Sequence, residues 1–520
     1  MRIGVDVGGT NTDAVLMDGA SVAATHKTPT TANVSSGIVS ALEHVLASGA
    51  CPPDQVTAVM IGTTHFTNAV VERRRLLDTA AVRLALPANT ALPPMVDWPS
   101  ALRDAVGNHT YLVHGGNEFN GRVLSPLDEH EIREVAADIR KKEIRSAAVT
   151  SVFSPVTAEM EERAAEILLE EIPDLYVTLS SDIGRIGLLE RENAAILNAS
   201  LRELAKAVVS SFRSALDDLG IDAAFYVSQN DGTLMGSEFA EKYPILTFAS
   251  GPTNSMRGAA LLSGVRDAVV VDIGGTTSDV GVLVNGFPRE ASTEVDIGEV
   301  RTNFRMPDII SIGLGGGSIV RADGDLTIGP DSVGYELQQR ALVFGGDTLT
   351  ATDVAVAAGL AEVGDPNLVA GLDRAVVEAA LAEIQRLVER AVDRIKTSAD
   401  PVPVVLVGGG TILVGDALVG ASKLIKPEHA SVANAMGAAI AQAGGEIDRV
   451  FSMDGSSRDA VLEEARADAT ARAIAAGADP ESVTIVEVDE IPLTYMPGNE
   501  VRIRVKAVGD LDLGVPAAPA

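Results

Sequence analysis

The sequence predicts an α/β fold of two lobes related by an internal repeat, with a small α+β appendage at the C-terminus. Three observations predict it. One motif is written twice, as Asp6-Val-Gly-Gly-Thr-Asn-Thr-Asp13 and as Asp272-Ile-Gly-Gly-Thr-Thr-Ser-Asp279, with Asp, Gly, Gly, Thr and Asp in the same order and spacing. Between and after the copies, short apolar runs alternate with segments of helical periodicity, the rhythm of a largely parallel sheet covered on both faces. The chain has 520 residues, too many for one core and enough for about two to four domains.

The repeat carries the chemistry. Apolar or β-branched residues flank both copies, Arg2 to Val5 and Ala268 to Val271 before, Ala14 to Met17 and Val280 to Leu283 after. Each copy therefore reads as a strand, a tight Gly-Gly turn and a returning strand. Glycine admits positive φ and lets a bound group approach the backbone, and successive N–H groups in such a turn cradle an anionic phosphate. The candidates are Gly8, Gly9, Thr10, Asn11 and Thr12 in the first copy and Gly274, Gly275, Thr276 and Thr277 in the second. Asp6 and Asp272 stand at strand ends, where carboxylates hold Mg²⁺ that keeps several of its waters and shares phosphate oxygens. One such hairpin could be an ordinary turn. Two, facing each other across a cleft, would grip a nucleotide's phosphate tail from both sides.

Composition narrows the rest. With 46% hydrophobic and 22% charged residues the chain is that of a folded protein, and with only 3% aromatic residues its core is built from Ala, Val, Leu and Ile. A net charge of −31 excludes nucleic acid and anionic membrane as partners without a local basic patch. Arg73-Arg74-Arg75 and Lys141-Lys142 are too short to form one. The single cysteine, Cys51, rules out an internal disulfide or a cysteine metal cluster and reads as incidental. The first residues read as a strand at once, so no signal peptide is expected, and no apolar run nears the ~20 residues of a membrane span. A cytoplasmic protein is expected.

Residues 1–185 read as the first lobe. Its hairpin is followed by a strand from Ser21 to Lys27, then a helix from Val34 to Ser48 with Val39, Leu42, Val45 and Leu46 at helical spacing. A strand from Thr57 to Ile61 runs into Gly62-Thr63-Thr64-His65-Phe66-Thr67-Asn68, and a short helix covers Ala69 to Glu72. A Gly-Thr-Thr tip before a helix N-terminus is a second place where N–H groups face an anion; by local sequence alone an ordinary strand-to-helix turn reads better. The Pro-rich segment around Trp98 reads as an irregular insertion over about residues 76–125, and its His109 and His114 have no carboxylate motif to make them a metal pair. From Asp128 helices and strands alternate again: Glu129 to Lys142, Ala147 to Phe153, Ala158 to Ile172, Tyr176 to Ser180.

Residues 186–266 read as a helical linker, with a long helix from Leu188 to Leu219 and a small-residue helix from Ser255 to Leu262. The second lobe, 267–445, continues from its hairpin to an apolar strand ending in Gly315-Gly316-Gly317, helices from Thr350 to Gly359 and Val376 to Lys396, and a strand from Pro403 to Val407 that runs into Gly408-Gly409-Gly410-Thr411. A helix rich in Ala and Gly, Ala433 to Gln442, can pack closely against that turn. Residues 446–520 form a β-α-β-β appendage whose last residues, Ala517 to Ala520, are expected to fray.

Two phosphate hairpins followed by a strand-to-Gly-Gly-Gly loop resemble the actin-like, ribonuclease-H-like ATPases. The opening Gly-Val-Asp-Val-Gly-Gly-Thr-Asn-Thr-Asp-Ala, the Gly-Thr-Thr…Thr-Asn-Ala-Val-Val-Glu-Arg run, Asp-Ile-Gly-Gly-Thr-Thr-Ser-Asp-Val and Ser-Ile-Gly-Leu-Gly-Gly-Gly-Ser-Ile resemble the hydantoinase A/5-oxoprolinase family, over Met1 to about Gly445. Two features depart from it: Ile61 stands where the family usually has His, and the family's long subunits run past this length. The resemblance implies ATP-dependent ring opening of a cyclic amide such as a hydantoin, 5-oxoproline or lactam. Phosphorylating the amide oxygen gives an imidate phosphate that water, or a carbanion in carboxylase relatives, can attack. It implies ATP and Mg²⁺ as cofactors, Mg²⁺ on Asp6 and Asp272, phosphates on Gly8–Thr12 and Gly274–Thr277, and adenosine at Gly408–Thr411, with Gly315 and Gly316 also on the nucleotide. Thr63, Thr64, His65 and Asn68 are the candidates on the substrate side. A separately encoded hydrolase subunit and an oligomeric assembly are the expected partners. A small-molecule kinase of the same superfamily, or a chaperone-like ATPase switch, would use the same hairpins.

Overall fold

The computed structural model describes residues 1–8, 11–19, 21–29, 34–291, 295–304, 306–322, 324–440, 442–453, 457–493 and 500–512. Gly9 and Thr10, both expected at the phosphates, and Ala517 to Ala520, expected to fray, lie outside them. Among the described residues no helix is long and apolar enough to cross a membrane.

The first lobe starts with three antiparallel strands, β1 (Arg2–Val7), β2 (Asn11–Asp18) and β3 (Ser21–Pro29), in a register that sets Asp6 opposite Asp13. The helix Val34–Ser48 buries Ile38, Ala41, Leu42 and Val45 against them and leads to β4 (Ala58–Thr63), which joins β1 in parallel. Four strands then leave this sheet. β5 (Thr79–Leu86), β6 (His109–His114), β7 (Ser146–Ser151) and β8 (Tyr176–Leu179) pair in parallel in the order β6-β5-β7-β8, over a core of their own. The long helix Leu188–Asp218 brings the chain back to β9 (Ala224–Ser228), parallel to β4, and then to β10 (Thr233–Gly236). The first lobe thus has the order β3-β2-β1-β4-β9.

The helix Ser250–Ser263 carries the chain to the second lobe. There β11 (Ala268–Ile273), β12 (Ser278–Val284) and β13 (Phe287–Pro288) are antiparallel, with Asp272 opposite Asp279. An excursion follows: the hairpin β14 (Val295–Ile297) and β15 (Val300–Thr302), β16 (Ile309–Ile312) on the edge of β12, and the hairpin β17 (Ser318–Arg321) and β18 (Thr327–Ser332). After the helices Ala351–Ala357 and Arg374–Ile395 come β19 (Val402–Val407) and β20 (Ala421–Ile425), both parallel additions beside β11. The order β13-β12-β11-β19-β20 repeats that of the first lobe strand for strand. The repeated motif is therefore the trace of a repeated fold, and the predicted two-lobed α/β class holds.

Three boundaries differ from the expectation. The insertion reaches from β5 to β8 rather than stopping near residue 125, and it is a sheet, not an irregular segment. Its first strand was hidden by Arg83 in the middle of an apolar run; that arginine is fully buried because Glu192 of the long helix holds it through two hydrogen bonds, one of 2.8 Å from Nε. The expected linker, 186–266, supplies β9 and β10 to the first lobe's sheet. The C-terminal segment does not stand apart either: β21 (Gln442–Ser452), β22 (Thr484–Pro492) and β23 (Glu500–Gly509) extend that sheet in the order β22-β23-β21-β10-β9, with the helix Arg458–Ala475 packed on them.

The chain passes between the lobes in two helices, Ser250–Ser263 outward and Ala433–Ile440 on return, and these cross in backbone contact. A Cβ on Gly258 would lie 1.9 Å from the carbonyl oxygen of Ala433, and one on Gly437 1.8 Å from that of Asn254. Gly437→Ala forces the helices apart and is expected to lower stability by about 2 kcal/mol or more, read as a fall in the urea midpoint. An unchanged midpoint would show that the crossing tolerates a side chain.

Candidate active site

Both hairpins close in the same way. Gly8 N–H donates to the carbonyl of Asn11 at 3.0 Å and Gly274 N–H to that of Thr277 at 2.9 Å. Asp6 and Asp272 project from the ends of β1 and β11, and each meets a glycine on the parallel strand beside it. A Cβ on Gly62 would stand 2.4 Å from Asp6 Oδ1, and one on Gly408 2.3 Å from Asp272 Oδ1. Glycine at these two positions makes room for the carboxylates. The Gly-Thr-Thr tip after β4 and the Gly-Gly-Gly-Thr tip after β19 are thus equivalent places in the two lobes.

Asp272 lies within reach of the charge of Asp6 across the lobes. Burial pushes the Asp6 carboxyl up to about 6, with the Asp13 charge adding to the rise and the amides of Asn434 and Asn254 opposing it. Burial pushes Asp272 up to about 7; Ser255 opposes this by hydrogen bonding, the charges of Asp279 and Asp6 add to it, and Lys27 opposes it. Asp272 thus feels both Asp6 and Lys27 of the other lobe. Around Asp6 the network is dense. Asn434 Nδ2 donates to Asp6 Oδ2 at 3.0 Å and to Asp13 Oδ2 at 2.8 Å, and Lys27 Nζ lies 2.9 Å from Asp13 Oδ1.

Two consecutive segments of the chain match one family of proteins. The hydantoinase/oxoprolinase N-terminal region matches residues 2–172, and the hydantoinase/oxoprolinase domain matches residues 191–365. The chain belongs to the hydantoinase/oxoprolinase family. Caprolactamase subunit alpha of Pseudomonas jessenii is 25% identical over 411 residues, 74% of this chain and 58% of that one. The acetophenone carboxylase gamma subunit of Aromatoleum aromaticum is 29% identical over 255 residues, 46% of this chain and 34% of its own. This chain spans little more than half the length of the curated relatives that it matches most extensively. Among solved structures, the ATP-dependent caprolactamase of Pseudomonas jessenii superposes with a TM-score of 0.78 at 17% identity, over 98% of this chain and 88% of that one. Nucleotide-free acetone carboxylase gives 0.67 at 19% identity, over 100% and 89%. These likenesses establish the fold of this hydantoinase/oxoprolinase family member.

The other predicted residues fall into place unevenly. Thr63 ends β4 and hydrogen-bonds His65 Nδ1, while Thr64 Oγ1 donates to the carbonyl of Val7 at 3.3 Å, which seats this tip beside the first hairpin. The helix expected from Ala69 begins at His65, so Thr67 and Asn68 belong to its first turn. Burial, reinforced by Arg75, holds His65 down at about 4, so its ring is neutral near pH 7. Gly315 and Gly316 do not offer free donors: their N–H groups go to Ser318 Oγ at 2.8 Å and the carbonyl of Gly274 at 3.0 Å. With Gly317 N–H on the carbonyl of Gly275 at 2.7 Å, this loop braces the second hairpin from behind. Gly408 N–H is likewise taken, by the carbonyl of Ala430 at 2.8 Å, whereas a Cβ on Gly409 would meet nothing within 4 Å. Gly409 is the open side of that tip.

His109 and His114 stand at opposite ends of β6. His109 Nε2 lies 3.9 Å from Asp78, and His114 Nδ1 is 2.8 Å from Glu131, so they form no metal pair. A cavity of about 610 Å³ lined by Arg213, Phe225, Tyr226 and Phe239 shares none of the hairpin residues. Sequence reasoning missed Lys27, Asn254, Ser255 and Asn434. Asp13 and Asp279 carried a signal, as the last residues of the repeat; the others sit in an unremarkable strand end and two helices read only as small-residue packing.

Among the described residues no cluster of three or more His, Cys, Asp or Glu could hold a metal by itself. The donor set suits Mg²⁺, which is held by one or two carboxylates together with water and phosphate. Carboxylates pushed up by burial and by neighbouring carboxylates, Asp13 beside Asp6 and both Asp279 and Asp6 beside Asp272, are what a divalent cation would relieve. The sign of the pH effect follows. Both groups bind protons more tightly folded than unfolded, so their contribution to stability falls as pH rises from about 4 to about 7. Without ligands, the melting temperature should therefore drop over that range, and Mg²⁺ should raise it at about pH 8 and leave it nearly unchanged at about pH 5. Differential scanning fluorimetry checks this, with Asp272→Asn expected to flatten both trends; equal Mg²⁺ effects at the two pH values would refute it.

Proposed function

We propose that this chain is the ATP-using part of an enzyme that opens a cyclic amide, a hydantoin, 5-oxoproline or lactam, and that it works in the cytoplasm with a separately encoded hydrolase subunit. The observation that carries the reading is the same hairpin in both lobes, Asp6 opposite Asp13 and Asp272 opposite Asp279, with Asp272 within reach of the charge of Asp6. Relatives support the substrate class: one is named caprolactamase subunit alpha and another, from Arabidopsis thaliana, 27% identical over 316 residues, is named 5-oxoprolinase 1.

In this reading Asp6 and Asp272 hold Mg²⁺, Gly8–Thr12 and Gly274–Thr277 hold the phosphates with backbone N–H groups and hydroxyls, and Gly409 to Thr411 lie at the adenosine. When bound, ATP supplies the phosphoryl group that makes a poor amide electrophile reactive, with Mg²⁺ neutralising its charge. The chain's own residues orient the substrate and exclude bulk water. Thr63, Thr64, His65 and Asn68 take the substrate side beside the first hairpin. His65, neutral and hydrogen-bonded at Nδ1 to Thr63, would orient the substrate by a hydrogen bond at Nε2.

ATP turnover with a panel of hydantoins, 5-oxoproline, lactams and polyols, with and without the co-encoded partner, tests this. ADP released in step with a ring-opened acid is expected, and Asp272→Ala should lower turnover by at least about a thousandfold. A phosphorylated alcohol as product would overturn it in favour of a small-molecule kinase.

A further inference from the structure

The outward helix Ser250–Ser263 buries three polar residues in a row, Thr253 and Asn254 at 0% and Ser255 at 2% exposure. Packing does not ask for them. The helix is otherwise small-residued at the crossing, and alanine would fill the same space without a polar group to satisfy. Their partners explain them. Successive side chains on a helix diverge by about 100°, and here that divergence points them to different lobes: Asn254 Nδ2 and Asp6 Oδ1 of the first lobe would stand 2.6 and 2.4 Å from a Cβ on Gly62, and the Ser255 hydroxyl faces Asp272 of the second.

Asn254 is itself anchored, with Nδ2 on Ser228 Oγ at 3.1 Å at the end of β9, and its Oδ1 has no hydrogen-bond donor among the described residues. The return helix adds a third contact. Asn434 turns Oδ1 to the N–H of Ala435 at 2.9 Å, which fixes its Nδ2 toward Asp6 and Asp13. Gly258 and Gly437 hold the two helices in backbone contact, so these three side chains stand on one tightly packed crossing.

We propose that Asn254, Ser255 and Asn434 are positioning residues, a yoke on the crossing helices that sets the separation and aim of Asp6 and Asp272. The inference rests on the reading of those two aspartates as a pair that shares one bound ion. Neither carboxylate is left to its own strand end. The first hairpin takes its position from Asn254 and Asn434, and the second from Ser255, so a change in the crossing is felt at both.

Hydrogen exchange by mass spectrometry on the full-length, ligand-free protein tests this, because the repeat supplies its own control. Ser255→Ala should speed exchange about tenfold in the hairpin 268–284 and leave 2–18 unchanged, while Asn434→Leu should do the reverse, as expected for loss of a hydrogen bond to a carboxylate. In turnover, Ser255→Ala should lower kcat about tenfold while changing the KM for ATP less than threefold. Faster exchange in both hairpins with either variant would mean a generally loosened core, and no change in either would mean no positioning role; both outcomes overturn the proposal. If the unaltered protein turns over no ATP with any substrate, the proposed function fails, and the hairpin-specific exchange still decides the positioning role.

Discussion

Two helices that touch backbone to backbone, at Gly258 and Gly437, govern how everything else in this molecule is placed. They are the two passages of the chain between lobes, so the angle at which they cross is the angle at which the lobes meet. Close approach leaves no space for side chains at the crossing and puts the helices' polar residues within reach of both β1 and β11. A third glycine, Gly4, extends the contact into the sheet, since a Cβ there would lie 2.1 Å from the carbonyl oxygen of Ala435. Interiors pack as tightly as organic crystals, and a joint of this kind transmits small displacements instead of absorbing them.

The joint brings like charges together, Asp6 buried and Asp272 partly buried. Asp6 and Asp272 both titrate above the usual carboxylate range, chiefly because burial disfavours their charged forms. A fold arranged only for stability would not hold them there, and such local conflicts concentrate at working sites. The two copies are not electrically equal. Asp13 has the Lys27 ammonium and the Asn434 amide, whereas its counterpart Asp279 has the hydroxyl of Ser311. The first hairpin is partly offset by the Lys27 cation, whereas in the second burial holds both Asp272 and Asp279 above the usual carboxylate range.

The remaining parts brace that geometry. The inserted sheet is tied to the long helix by the buried Arg83–Glu192 pair, and Trp98 Nε1 donates to Asn193 Oδ1 at 2.7 Å, whose Nδ2 donates to the carbonyl of Arg301 in the second lobe at 2.9 Å. On the far edge, Arg504 of β23 pairs with Glu290 of the second lobe, while Asp448 of β21 takes Arg502 at 2.6 Å and Arg185 at 3.0 Å. Buried pairs of this sort add little net stability but are expensive to break one partner at a time. Of these contacts, Arg504–Glu290 and Asn193–Arg301 join the two lobes.

By itself the sequence determined the repeat, the two hairpins with their glycines and aspartates, and the family, because these are local: a turn needs its glycine and a phosphate cradle its consecutive N–H groups wherever they occur. It also marked the long helix and most strands through their periodicity. Sheet membership was decided only in three dimensions. A parallel strand such as β5 or β9 takes its neighbour across a crossover of many residues, and nothing local distinguishes joining the old sheet from founding a new one. For the same reason Asn254, Ser255 and Asn434 were silent in the sequence. Their role exists only where two helices, far apart along the chain, cross closely enough for an amide or a hydroxyl to reach a carboxylate.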